Sequence, residues 1–360
     1  WKTKQTTQSK ENMSRKVLIM AGGTGGHIFP ALAIAKELTN QGANIEWLGG
    51  RNSMEGSLVP KHGYQLHCVH TSGLRGKNLL TLLKAFFLLC LGLIETIFVF
   101  LRFRPDRVVG MGGYASGIGG MVAKIFFIPL IIHEQNAIPG TTNKLLGKFA
   151  QQSLQAFDNT FDLSINAVTV GNPILFTPEP KNTPELVNNL LVLGGSLGAQ
   201  KINETITSIK TPLNIWHQTG VKHLESVKLA YQNNPNTNLC IESFIENMAE
   251  AYAWADVVVC RSGAMTVSEL VATKTIAILV PFPYAVDNHQ TKNAQYLSDQ
   301  GAGILLEESL LNAETIDMQL RSLTTNKLKD MTSALESLQI PSPEKMIVDY
   351  ILIPNRSKSS

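Results

Sequence analysis

Residues 17–38 read VLIMAGGTGGHIFPALAIAKEL, and this stretch decides the fold class. Val17–Ala21 is an uninterrupted apolar run of the length of a buried strand. Gly22–Gly26 then supply a turn, and Ala31, Ile34, Ala35 and Leu38 recur at helical spacing, with Pro30 expected in the first helical turn. Strand, glycine turn and helix make the opening unit of a parallel α/β sheet. The unit occurs again where Leu190–Leu193 runs into Gly194-Gly-Ser-Leu-Gly-Ala199, 172 residues further on. Ile45–Leu48, Leu66–Val69, Val108–Met111, Leu130–His133, Asp256–Cys260 and Ala277–Val280 read as further strands, each followed by a turn or a helical pattern.

Two copies of one unit at a domain-sized interval predict two Rossmann-like domains facing each other across a cleft. A chain of 360 residues accommodates both. Four prolines between Pro173 and Pro184 mark the linker. The expected divisions are an unstructured extension at 1–13, a first domain at 14–173, a second at 174–340, and a helix and tail at 341–360 that return to the first domain.

Composition narrows the function. Only 16% of residues are charged, against about 25% in an ordinary domain, while 44% are hydrophobic. That excludes a disordered chain and a coiled coil, and it points to apolar surface. A net charge of +3 excludes a general nucleic-acid binder. Cys68, Cys90, Cys240 and Cys260 show no CxxC spacing and read as small core residues, with neither a disulfide framework nor a zinc site.

The chemistry lies in the glycine turns. Gly22–Gly26, Gly110–Gly117 and Gly194–Gly198 each sit between a strand and a helix, where backbone N–H groups and the helix dipole can face an anion. Neither main loop fits GxGxxG, and no Lys-Ser or Lys-Thr follows, which argues against the phosphates of NAD or ATP. His27 closes the first loop beside the positive end of a helix, a place that suits a general base. His133-Glu-Gln-Asn136 follows a buried strand, at the edge where open sheets bind ligands, and reads either as hydrogen-bonding groups for a polyhydroxyl ligand or as polar caps satisfied within the loop. Adjacent His and Glu on a strand point to opposite sides, which is poor metal-chelating geometry. Cys260-Arg-Ser-Gly-Ala-Met-Thr-Val-Ser-Glu269 is a third strand, small-residue turn and helix, suited to a diphosphate. Glu269, two turns into that helix, could bridge the vicinal hydroxyls of a ribose. Asp287-Asn-His-Gln290 forms a further polar edge.

Together GGTGGHIFPALAIA, LGGRNSMEGSLVP, SGLRGK, GMGGYASG, HEQNAIPG, VGNP, GGSLGA, CRSGAMTVSEL and DNHQTKNA resemble, in order and from Val17 to Ile351, the MurG family of peptidoglycan N-acetylglucosaminyltransferases in glycosyltransferase family 28. The resemblance implies a GT-B fold with the active site between two Rossmann-like domains. It implies inverting transfer of GlcNAc from UDP-GlcNAc to the 4-hydroxyl of MurNAc in undecaprenyl-diphospho-MurNAc-pentapeptide (lipid I), giving lipid II. By the same resemblance His27 is the base, and Gly23, Thr24, His27, Gly112, Gly113 and Tyr114 face the acceptor. Donor contacts fall on Thr24, Gly25, Gly26, Asn136, Ser196, Phe244, Ile245, Ala264, Met265, Thr266, Val267, Ser268, Glu269 and Gln290. Glu269 would hold the ribose, with Phe244 and Ile245 near the uracil. No DxD-like carboxylate pair ends a strand, so neither metal nor cofactor is expected. One position departs: the family carries Arg after Gly-Asn-Pro-Val, and here Gly171-Asn-Pro-Ile174 is followed by Leu175.

Leu79–Phe103 is the most hydrophobic stretch, but Lys84 and Glu95 interrupt it, eleven residues apart and on one helical face with Lys77 and Arg102. Six basic residues between Arg75 and Arg107 face only Glu95 and Asp106. Such a helix is either a core helix with one wet edge or, given its basic flanks, one suited to an anionic leaflet. Leu79, Leu83, Lys84, Phe86, Phe87 and Arg102 are the expected contacts. The expected place is the cytoplasmic face of the bacterial inner membrane, peripherally bound, with no nucleic acid and with cell-wall or division proteins as further partners. Two other readings fit some of the motifs. A GT-B enzyme could act on another lipid acceptor, or on a nucleotide sugar as an epimerase. A sugar-nucleotide-binding membrane scaffold without activity is the other, against which His27 and Glu269 stand.

Overall fold

The computed structural model describes residues 15–50, 53–70, 79–195, 198–232 and 238–353. The expected extension at 1–13 and Ser196 lie outside them, as do the side chains of 79–86. The first half runs β1 (Lys16–Met20), α1 (Gly25–Asn40), β2 (Asn44–Gly50), α2 (Glu55–Lys61), β3 (Gln65–Val69), α3 (Leu79–Phe103), β4 (Arg107–Gly110), α4 (Gly113–Ile125), β5 (Leu130–Glu134), α5 (Thr141–Gly147), β6 (Gln152–Gln155) and β7 (Val168–Thr169). The second runs β8 (Asn189–Leu193), α6 (Gln200–Ile206), β9 (Asn214–Gln218), α7 (Leu224–Tyr231), β10 (Leu239–Glu242), α8 (Met248–Trp254), β11 (Val257–Cys260), α9 (Ala264–Thr273), β12 (Ile276–Leu279), α10 (His289–Ser298) and β13 (Ile304–Leu305). It closes with α11 (Ala313–Ser322), α12 (Thr325–Ser337) and α13 (Pro343–Leu352).

All strand pairs are parallel, in two sheets ordered β3-β2-β1-β4-β5-β6-β7 and β10-β9-β8-β11-β12-β13. Each sheet is covered on both faces, which explains the uninterrupted apolar runs. Val17, Ile19 and Ala21 enter the core under α1 and α13, whereas Leu18 and Met20 enter the core under α3, α4 and α5. Strand order reverses between β1 and β4 in one sheet and between β8 and β11 in the other. Open α/β sheets bind ligands outside the carboxyl ends of the strands at such reversals. The glycine turns after β1, β4, β8 and β11 all lie there.

The last helix belongs spatially to the first sheet. Ile347, Val348 and Ile351 of α13 are fully buried beside α1. Its final carbonyls are capped by guanidiniums, with Arg15 donating to Leu352 O and Arg107 to Ile353 O. Pro30 sits in the second turn of α1, later than its sequence position suggests, because the helix already starts at Gly25.

Helix α3 packs on α4, and Phe100 and Phe103 are buried in the shared core. Among the described residues no helix is long and apolar enough to cross a membrane. Glu95 is not left as a solvated charge: it accepts from His70 N at 2.7 Å and from His70 Nδ1 at 2.8 Å. Next to it the exposed face is apolar, with Phe87, Ile94, Phe98 and Leu101 each more than half exposed. Three of the cysteines, Cys68, Cys90 and Cys240, are exposed and only Cys260 is buried. The first three lie on an edge strand or an outer helical face, so their apolar neighbours in sequence do not bury them.

Candidate active site

The first two glycine turns are pressed together. Gly112 and Gly113 adopt φ of +100° and +78°, and a Cβ on Gly113 would stand 2.9 Å from Gly22 O. Glycine is required there by both conformation and space. His27, in the first turn of α1, is half-buried between the turns. Its Nδ1 lies 3.2 Å from Gly22 O, and its Nε2 would touch a Cβ on Gly112 at 3.0 Å. Tyr114 is half exposed at the start of α4. The single hydroxyl hydrogen of Ser116 is shared between Met20 O and Gly112 O, tying the second turn to β1.

A carboxylate that the sequence reading passed over holds the first turn. Glu55 is 1% exposed, and it accepts from Gly23 N at 3.1 Å and Gly50 N at 2.8 Å. The signal was present in LGGRNSMEGSLVP, an acid a few residues after a strand-ending Gly-Gly. Its partners, being backbone N–H groups, leave no trace in sequence.

In the cluster 133–136 the polar groups are satisfied within the loop, the second of the two readings open from sequence. His133, Glu134 and Gln135 are buried and committed to the protein. His133 Nε2 donates to Gly171 O at 2.9 Å, and Nδ1 accepts from Gln135 Nε2. Burial lowers the His133 pKa to about 4. Glu134 receives Asn136 N, Gly140 N and Asn143 Nδ2. These three residues shape the loop, and Asn136 Nδ2 is itself held by Glu134 Oε1 at 3.2 Å.

Asn136 is bound in turn from the second domain, by a residue not singled out from sequence. Asn293 of α10 is fully buried. Its Oδ1 accepts from Ala137 N at 2.9 Å, while Nδ2 donates to Ser262 O at 3.1 Å and lies 3.4 Å from Asn136 Oδ1. Asn172 makes a parallel link, Nδ2 donating to Gln135 O and Ser268 Oγ, both at 2.9 Å. Phe157 and Tyr296 meet edge to face across the same seam. The carboxyl-end loops of the two sheets therefore face each other. Among the described residues, the amide oxygens of Gln135, Asn143 and Asn172 are buried without a protein partner.

On the second domain Gly263 precedes α9, whose N-terminus receives no side-chain cap among the described residues. The first-turn N–H groups at Ala264, Met265 and Thr266 are those that a helix leaves for an outside acceptor. Val267 is buried, and Met265, Thr266 and Ser268 are partly exposed. Arg261 does not reach outward: it donates to Val280 O and Pro281 O and pairs with Glu308. Glu269 Oε2 accepts from Tyr252 Oη at 2.9 Å, and burial pushes its pKa up to about 7. Phe244 is half exposed, whereas Ile245 is buried and its N–H is held by Gln218 Oε1. Gln290 braces the loop, its O accepting from Ser262 Oγ and its Oε1 from Phe282 N. Leu175 lines a cavity of about 600 Å³ walled by Lys36, Phe176, Val271 and Ile340, to which none of the glycine turns contributes.

The arrangement pairs the His27 imidazole on one side of a seam with the N-terminus of α9 on the other. The glycosyltransferase family 28 N-terminal domain matches residues 17–155 and the corresponding C-terminal domain matches 189–347. The chain is 52% identical over 343 residues, 95% of this chain and 99% of the other, to the UDP-N-acetylglucosamine--N-acetylmuramyl-(pentapeptide) pyrophosphoryl-undecaprenol N-acetylglucosamine transferase of Vesicomyosocius okutanii. The protein of that name from Methylococcus capsulatus is 44% identical, covering 91% of this chain and 95% of its own. The crystal structure of Acinetobacter baumannii MurG superposes with a TM-score of 0.79 at 35% identity, covering 94% of this chain and 99% of that one.

Proposed function

This chain belongs to glycosyltransferase family 28, and from that premise we propose that it transfers GlcNAc from UDP-GlcNAc to the MurNAc 4-hydroxyl of lipid I, with His27 as the base. It is a UDP-GlcNAc-dependent glycosyltransferase of peptidoglycan synthesis, and its product is lipid II. The acceptor hydroxyl attacks the anomeric carbon of GlcNAc as the bond from that carbon to the UDP oxygen breaks. One in-line displacement inverts the configuration. The hydroxyl proton passes to His27 Nε2, and UDP departs with the bonding pair. Charge gathering on its diphosphate is met by the first-turn N–H groups of α9. Gly23, Thr24, Gly112, Gly113 and Tyr114 line the acceptor side, and Asn136, Phe244, Ala264–Glu269 and Gln290 the donor side.

The observation that carries this reading is the seam itself, where Asn293 ties the loop after β5 to the loop after β11. Both substrates must meet between those loops. The deciding experiment supplies radiolabelled UDP-GlcNAc and a short-chain lipid I analogue, and follows labelled disaccharide-lipid. Hydrolysis of the donor alone, with no labelled lipid, would defeat the assignment.

A lipid-borne acceptor also calls for a membrane-facing surface. The outer side of the α3–α4 layer exposes Phe87, Ile94, Phe98, Leu101, Met121 and Ile125. Arg102, Arg104 and Lys144 are exposed on the same helical layer or just beyond it. Apolar side chains ringed by cations suit peripheral docking on an anionic leaflet.

A further inference from the structure

Tyr252 has no part in the chemistry so far described, yet it is a fully buried phenol between the chain crossing and Glu269. Its ring stacks on Phe176, with centroids 6.0 Å apart and an interplanar angle of 23°. Its carbonyl accepts from Lys181 Nζ at 2.9 Å, and the same ammonium donates to Ala255 O and to Thr275 Oγ1. Phe176 and Lys181 both lie on the segment that leaves the first sheet for the second. At its other end, Tyr252 Oη donates to Glu269 Oε2 at 2.9 Å. One residue earlier on α9, Ser268 is joined to Asn172 at the start of that crossing.

We propose that Tyr252 is the positioning residue of the nucleoside half of the donor site: it holds Oε2 of Glu269 so that Oε1 is turned to the ribose diol, and the interdomain crossing sets that hold through Phe176 and Lys181. The proposal rests on reading Glu269 as the ribose contact. A carboxylate without such a partner samples several rotamers, and an O–H bond from a ring locked on two sides removes that freedom.

The electrostatics act in the same direction. The ionisable groups around the carboxyl are Tyr252 from α8 and Cys260 from β11, with Lys181 from the crossing and Asp256 beside that ammonium. Burial raises both Tyr252 and Cys260, so neither carries charge near neutrality. Lys181 is lowered by burial to about 8 and is mainly charged at pH 7. Burial brings Glu269 up to about 7, and the Tyr252 hydroxyl opposes that rise. The ionised carboxylate is the stronger acceptor for ribose hydroxyls. UDP affinity should therefore increase with pH through neutrality.

The test is the affinity for UDP and for 2′-deoxy-UDP between pH 6 and pH 8, by calorimetry on the full chain. In Tyr252→Phe, which keeps the stacked ring, UDP binding should weaken about 5–10-fold at pH 7. The pH midpoint of its affinity curve should move upward by about half a unit or more. Binding of 2′-deoxy-UDP, which lacks one of the two hydroxyls, should change by less than about threefold. Glu269→Gln should bind UDP weakly with a flat pH profile, and adding Tyr252→Phe to it should cost nothing further. If Tyr252→Phe weakens both nucleotides equally at every pH, the hydroxyl is not acting through Glu269 and the proposal fails. If Glu269→Gln binds UDP as wild type does, the ribose reading itself is what fails.

Discussion

His27 Nδ1 lies 3.2 Å from the carbonyl oxygen of Gly22, and this contact fixes which ring nitrogen is left to take a proton under the proposed mechanism. A carbonyl oxygen only accepts, so Nδ1 carries the hydrogen and donates it. In the neutral ring the lone pair then lies on Nε2, which faces the second glycine turn. His27→Ala should lower turnover on a lipid I analogue about 10²–10⁴-fold. Affinity for UDP-GlcNAc, measured by calorimetry, should stay within about threefold, because the α9 side of the site is untouched. Unchanged turnover would remove His27 as the base.

The contact of the two turns makes a second expectation. Gly113→Ala places a methyl 2.9 Å from Gly22 O on a backbone with φ of +78°. Strain of about 1–3 kcal/mol and a displaced first turn should follow. Turnover should drop by about tenfold or more, since small misplacements of reacting groups are costly. Gly56→Ala, in α2 with nothing within 4 Å of the added methyl, should leave turnover unchanged and raise stability by about 0.5–1 kcal/mol. Equal effects of the two substitutions on turnover would show that the Gly22–Gly113 approach does not matter.

Glu55 supplies a third. Its carboxylate satisfies two N–H groups, Gly23 and Gly50, and no other residue type of that length offers two anionic acceptors. Glu55→Gln turns an N–H₂ toward one of the two donors, at a cost of about 1–3 kcal/mol. Melting should occur several degrees lower, and KM for the lipid acceptor should rise while donor affinity holds. A variant with normal acceptor KM would confine Glu55 to stability.

Where the sequence was legible, one property controlled the structure. Val17–Ala21 and Leu190–Leu193 are fully buried on both faces, so hydropathy alone announces β1 and β8. The glycine turns were legible because positive φ and close approach leave glycine as the residue that fits. β6 was not, since QSLQ buries polar groups whose partners are far along the chain: Gln155 donates to Thr169 Oγ1 and accepts from Phe161 N. His133 and Glu134 were ambiguous for the same reason. A polar residue at a strand end looks alike in sequence whether it faces a sugar or a carbonyl such as Gly171 O. Asn293 and Tyr252 carry no comparable mark in sequence, because their partners lie in other elements.

Stability should fall on acidification, for a reason located in two histidines. His217 Nε2 donates to Asn203 Oδ1 at 3.0 Å, so Nδ1 accepts from Tyr231 Oη at 2.9 Å, a pattern that uses the neutral ring. Burial lowers the pKa of His217 to about 3 and that of His133 to about 4. Below about pH 6.5 the unfolded chain takes up protons that the folded chain refuses, so each histidine withdraws stability as pH falls towards those values. Glu269 works in the opposite sense. Its raised pKa means that the folded chain binds the proton first, and stability is gained as pH falls from about 7 towards the ordinary carboxyl range. Two groups against one leave a net loss, so the melting temperature should decline between pH 7 and pH 5. Glu269→Gln, lacking the compensating gain, should decline more steeply. Parallel profiles for the two proteins would contradict the Glu269 assignment.

The α3 surface can be tested without disturbing the core, because its exposed and buried rings alternate along one helix. Phe87 and Phe98 are 68% and 66% exposed, whereas Phe100 is 2% exposed and packs near Phe126. Replacing Phe87 and Phe98 together with Ser should leave the melting temperature nearly unchanged. Sedimentation with anionic vesicles should weaken markedly, by about 2–4 kcal/mol if both rings enter the interface. Binding of the wild type should also fall with added salt, each nearby cation contributing about 1 kcal/mol at low ionic strength. Phe100→Ser should behave in the opposite manner, lowering stability by about 3–5 kcal/mol as a buried ring is lost. If the double variant sediments with vesicles as well as wild type does, this stripe faces something other than lipid.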